Sequence, residues 1–143
     1  MTNIQAALGV AQLEQLDKFI LKKRWMGKLY TELLQDVKSI QLPIEKKDYA
    51  ENIYWVYPIV LKKDAKLNAI EAIQILKTNN IGARHFFWPM HKQPVFLKSG
   101  LFKNEDYPES EKLAEKGFYI PSGLALKEEQ IIKVAEVIRR KIK

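Results

Sequence analysis

The sequence contains no cysteine, which excludes a disulfide framework and any thiolate-ligated metal. Its two histidines, His85 and His91, stand six residues apart with no acidic residue between or beside them. That spacing does not describe a metal site. The six glycines are isolated from one another, so no loop has the composition of a phosphate cradle. No serine stands in a nucleophile elbow. Apolar runs fall well short of the ~20 residues that span a bilayer. The N-terminus lacks the charged, apolar and small-residue order of a secretory signal. These absences together point to a cytoplasmic protein without a membrane partner.

What is present describes one domain, residues 1–143. Hydrophobic residues make up 47% and charged residues 29%, a globular composition with enough chain to bury a core. The net charge is +7, which favours an anionic partner. The basic residues are nevertheless spread along the chain, and the densest clusters are Lys22, Lys23, Arg24 with Lys28, and Arg139, Arg140, Lys141 with Lys143. Cations suit the last turn of a helix, and both groups read as solvated helix faces. The aromatics are not interleaved with Lys and Arg as on a nucleic-acid-binding sheet, so a basic nucleic-acid-binding module is the weaker reading.

Thr2 and Gln5 have the spacing of a capping box, and helical periodicity continues to about residue 37. In its second half Phe19, Ile20, Met26, Tyr30, Leu33, Leu34 and Val37 form one stripe. The first half, Ala6 to Leu13, has almost no polar face. A helix apolar all round is a buried helix, and this one calls for cover from another domain or subunit. Ile53–Leu61 reads as a strand, with Pro58 suggesting an edge or a bulge. Asn68 and Glu71 cap a second helix with Ile70, Ile73 and Leu76 inward, ended near Gly82. A short strand at residues 83–87, a long loop over 88–108, a helix over 109–116, a strand over 118–120 and a helix over 127–142 complete the chain. The expected fold is α/β of the α+β type, with about three short strands in a mixed or antiparallel sheet packed with helices.

The segment Gly82–Pro94 (GARHFFWPMHKQP) gathers a guanidinium, two imidazoles and three large aromatics in one loop. Loops carry function because a scaffold positions them without enlisting them in the core. Arg84 suits a phosphate clamp, and Trp88 suits stacking on a flat or apolar group. The same aromatics could instead fill core or interface, with His91 bonded to a backbone carbonyl.

Three blocks resemble one family. Met1–Leu16 (MTNIQAALGVAQLEQL), Gly82–Pro94 and Gly117–Ile131 (GFYIPSGLALKEEQI) are similar, in family order, to segments of DegT/DnrJ/EryC1/StrS sugar aminotransferases. The loop is most similar to that of perosamine-synthase-like members. The resemblance implies the small C-terminal domain of a fold-type I pyridoxal-phosphate enzyme. It implies amino transfer, with glutamate as donor, to a nucleotide-linked 4-keto-6-deoxyhexose in surface-polysaccharide synthesis. It implies a homodimeric complete enzyme, with the long helix at about residues 2–37 bridging to an N-terminal large domain. The cofactor lysine belongs to that domain. On this view His91, Arg84 and Trp88 are substrate-binding residues, no catalytic or cofactor-binding residue lies within the sequence, and the chain alone is inactive. A stand-alone interaction or regulatory domain derived from such an enzyme is the alternative.

Overall fold

The computed structural model describes residues 1–142. Its first helix, α1 (Asn3–Leu13), starts on the capping box anticipated from sequence. The Gln5 amide donates to Thr2 Oγ1 at 3.3 Å, and the Thr2 amide donates to Gln5 Oε1 at 2.8 Å. The single long helix expected over residues 2–37 is in fact two. Gln15 closes a tight i−3 bond to Gln12 at 3.1 Å, and α2 (Leu16–Leu34) starts afresh. No proline or glycine marks the break. Helix α2 buries Met26, Gly27, Tyr30 and Leu34, whereas α1 buries nothing.

A short strand β1 (Ile40–Gln41) and a two-residue-per-arm hairpin, β2 (Lys46–Lys47) with β3 (Ala50–Glu51), precede β4 (Tyr57–Leu61). These first three strands are too short to show an alternating pattern. The expected strand from Ile53 begins instead at Tyr57, because Tyr54 takes a left-handed backbone (φ 52°). Asn52 stabilises that turn by accepting the Tyr54 amide at 2.7 Å.

Helix α3 (Ala69–Thr78) begins on the Asn68–Glu71 capping box. It faces inward with Ala69, Ala72 and Leu76, while Ile70 is exposed. Strand β5 (Arg84–His85) follows. The region expected to be one long loop holds a 3-10 turn at Met90–Lys92 and a short helix α4 (Pro94–Lys98). Pro94 opens α4, since a first helical residue needs no amide donor. Helix α5 (Pro108–Lys116), strand β6 (Gly117–Ile120) and helix α6 (Glu128–Lys141) complete the fold.

The main sheet has four strands, not three, in the order β1-β4-β6-β5, and its pairs are antiparallel. Pro58 in β4 pairs only with Tyr119 of β6, because β1 reaches no farther than Val60. The proline therefore sits where its strand has one neighbour, as its missing donor requires. Ile131, Val134, Ala135 and Ile138 of α6 pack into one core with Tyr30, Tyr57, Ile59 and Phe118.

Polar ties set how α2 meets the sheet. Tyr30 donates to the Pro121 carbonyl at 2.9 Å, and Thr31 Oγ1 pairs with the Tyr57 hydroxyl at 2.8 Å. Burial raises the Tyr30 hydroxyl and pushes the Tyr57 hydroxyl up to about 12, so both stay protonated as donors. Replacing Tyr30 by Phe keeps the packing and removes the bond to Pro121. We expect a loss of about 1–2 kcal/mol in urea unfolding with an unchanged m-value. A neutral outcome would show that water already satisfies that carbonyl.

Candidate functional site

The aromatic segment between β5 and α4 is folded against α5 through one carboxylate. Glu111, in the first turn of α5, accepts Lys92 Nζ on one oxygen at 2.7 Å and meets His91 Nε2 on the other at 3.0 Å. The His91 ring also rests on Tyr107, with centroids 4.8 Å apart. His91 is only 8% exposed, and its partner is the Glu111 carboxylate rather than a backbone carbonyl. The Lys92 ammonium foremost, then the His91 ring, hold the Glu111 carboxyl below its usual value. The carboxylate thus keeps both partners until pH falls below the ordinary carboxylate range.

Trp88 stands at the other end of this segment, 62% exposed. Its indole Nε1 donates to the Lys92 carbonyl at 3.1 Å, and Gln93 Nε2 donates back to the Trp88 carbonyl at 3.2 Å. A groove of about 360 Å³ runs beneath the indole, lined by Ile70, His85, Trp88, Lys92, Glu111 and Glu115 among others. Its walls combine apolar surface with a few polar groups, the usual make-up of a small-molecule site.

Arg84 lies elsewhere. It pairs across the sheet with Tyr119, and His85 with Phe118, so period-two alternation sends the two β5 side chains to opposite faces. Arg84 lines an open depression of about 480 Å³ with Gly82, Tyr119, Pro121 and Ser122. Among the described residues no acid lines it, and a guanidinium there can take an anion. Of the three residues singled out from sequence, Trp88 lines the groove, His91 lies buried behind it, and Arg84 lines the separate depression. Glu111, which links the first two, was not singled out. Its signal was slight: an acid opening a helix is ordinarily a solvated complement to the helix dipole.

A third depression, about 470 Å³, is lined by Asp36, Lys38, Ser39, Asp64 and Arg139. Here Arg139 is already engaged. It forks onto Asp36 at 2.6 and 2.7 Å and donates to the Leu33 carbonyl at 2.7 Å, tying α6 to the end of α2.

Pyridoxal phosphate requires a lysine amine for its aldehyde, an acid or similar partner at the pyridine nitrogen, and phosphate donors. Lys23 is a half-buried lysine whose pKa burial lowers, which suits an amine nucleophile. Its ammonium, however, donates to the Trp55 carbonyl at 2.8 Å and to the Ser122 carbonyl. It has no carboxylate among its bonding partners. Lys23 therefore does not by itself supply the set of partners that the cofactor needs.

The architecture, a short antiparallel sheet packed with helices, defines a class. It superposes on a putative sugar aminotransferase from Streptococcus pneumoniae with a TM-score of 0.84, at 19% identity, over 98% of this chain and 35% of that one. The fold is thus that of a part of sugar aminotransferases. The chain belongs to the DegT/DnrJ/EryC1/StrS aminotransferase family, whose model matches residues 1–139. The GDP-perosamine synthase of Escherichia coli O157:H7 is 33% identical over 96% of this chain and 35% of its own length. A putative pyridoxal phosphate-dependent aminotransferase, EpsN of Bacillus subtilis, is 31% identical over 96% and 35%. The chain therefore spans about a third of the length of these curated relatives. The family depends on pyridoxal phosphate, and its relatives include proteins of polysaccharide biosynthesis. Among the described residues no helix is long and apolar enough to cross a membrane.

Proposed function

We propose that this chain is the substrate-side, C-terminal part of an aminotransferase that moves an amino group from glutamate to a nucleotide-linked 4-keto-6-deoxyhexose. The family match over residues 1–139 carries this reading. The lysine that anchors the cofactor belongs to an N-terminal large domain, and the complete enzyme is a homodimer. The exposed apolar residues of α1, with Ile4, Leu8 and Leu13 among them, supply a surface for that domain. Pyridoxal phosphate, when bound there, supplies the electron sink. Overall, glutamate and the keto sugar give 2-oxoglutarate and the amino sugar.

The roles within this chain divide by place. Trp88 offers its exposed face to a ring of the substrate in the groove, and Arg84, on the opposite face of β5, offers its guanidinium to an anionic group outside the groove. His91 acts from behind, because its Nε2 is occupied by Glu111. The alternative, a regulatory domain, draws support from a relative called pleiotropic regulatory protein in Geobacillus stearothermophilus, 30% identical over 97% of this chain.

The test joins this chain to the lysine-bearing domain of a relative and follows 2-oxoglutarate release from glutamate and a GDP-4-keto-6-deoxyhexose. Turnover is expected in the joined protein, and in the chain alone borohydride should fix pyridoxal phosphate to no single specific lysine. Arg84→Ala should raise KM by roughly ten- to a hundred-fold with little change in kcat, as loss of uniform anion binding does. A cofactor fixed by borohydride to one specific lysine of the chain alone, or full activity in Arg84→Ala, would count against this assignment.

A further inference from the structure

Among the described residues, the segment from Trp88 to Lys98 is tied to α5 by hydrogen bonds at one residue only, Glu111. Both of its oxygens are used, each for a different side chain of the 3-10 turn. That turn in turn holds the indole, since Trp88 Nε1 donates to the carbonyl of Lys92. The same carboxylate lines the groove that Trp88 overhangs. A chain of contacts therefore runs from α5 through Glu111 and Lys92 to the one large aromatic exposed at the groove. Besides the bond to Lys92 the Trp88 side chain is mostly exposed, and exposed side chains sample several rotamers; the Gln93 bond and the turn's own backbone bonds hold the main chain rather than the ring.

We propose that Glu111 is a positioning residue, a two-armed carboxylate clamp that fixes the Trp88 wall of the groove for its ligand. Its effect on the ligand rests on the reading of the groove as a nucleotide-sugar site. The clamp itself does not. The clamp also pairs the nearby ammonium: Lys92 is held on one oxygen of Glu111 and the His91 ring meets the other, while His85 and Glu115 stay at the rim. The groove then offers an apolar wall and two carboxylates, with its one ammonium already paired, which suits a neutral sugar ring better than a phosphate.

The full chain labelled with 5-fluorotryptophan gives three resonances, for Trp25, Trp55 and Trp88, and Trp88→Phe assigns the third. In Glu111→Ala the Trp88 resonance should move toward its solvent-exposed position while the other two stay. Glu111→Gln, which retains an acceptor for Lys92, should fall between. Binding of GDP-mannose, used as probe, should weaken about tenfold in Glu111→Ala, the cost of ordering freed side chains on binding. If Glu111→Ala does not fold, Glu111→Gln and Lys92→Met decide by the same signal. A Trp88 resonance unmoved in folded variants overturns the clamp. If the resonance moves as expected but the unmodified chain ignores GDP-mannose, the clamp holds and the sugar-nucleotide reading of the groove falls.

Discussion

Gly27→Ala should destabilise the chain by about 2–3 kcal/mol and lower its melting temperature by roughly 10 °C. The direction is opposite to helix propensity, which favours Ala over Gly in a helix interior by about 1 kcal/mol. Packing reverses it. A Cβ on Gly27 would lie within 2.6 Å of three atoms of the Tyr54 ring. That ring is 1% exposed and stacks on Tyr57 at 5.9 Å. Its backbone is held in the left-handed region by Asn52, and the next residue's carbonyl is held by Lys23. The ring has nowhere inexpensive to go. Thermal and urea unfolding of Gly27→Ala measure the effect. A variant as stable as the parent would mean that the segment from Asn52 to Trp55 yields freely. Tyr54→Ala, which removes the obstacle, should suppress most of the difference between Gly and Ala at position 27.

The same few residues show what could be read in the sequence. Caps are local, and both capping boxes are found where Thr2–Gln5 and Asn68–Glu71 suggest them. The inward face of α6 is equally legible, because Ile131, Val134, Ala135 and Ile138 repeat at helical spacing and all are buried. The left-handed turn at Tyr54 is not legible from β propensity, since an aromatic in that backbone is rare and depends on Asn52 and Gly27. Ile70 shows the limit of periodicity: it fits the apolar stripe of α3, yet the helix turns its alanines inward and leaves Ile70 at the groove. His91 shows the limit for sites. Its type and its loop made it a candidate, but its burial depends on Glu111, twenty residues away in sequence. Such partners become visible only once α5 is placed beside the loop.

At tens of micromolar, order of magnitude, the chain by itself should self-associate, and Leu8→Lys combined with Leu13→Lys should make it monomeric. Helix α1 buries none of its own residues, and Ile4, Leu8, Val10 and Leu13 are all exposed. Burying such side chains yields about 1.5–3 kcal/mol each. Four of them give about 6–12 kcal/mol, comparable with the roughly 4–15 kcal/mol cost of association, so weak association is expected. Removing two forfeits about 3 kcal/mol or more, enough to weaken it a hundred-fold. Because α1 contributes nothing to the core, the double variant should unfold within about 0.5 kcal/mol of the parent. Sedimentation velocity across a concentration series, beside urea melts, separates the two effects. A parent chain that stays monomeric while α1 resists hydrogen exchange would show that the apolar face is already covered within the chain. Attaching a lysine-bearing large domain should remove the association without any substitution, if α1 is the surface which that domain covers.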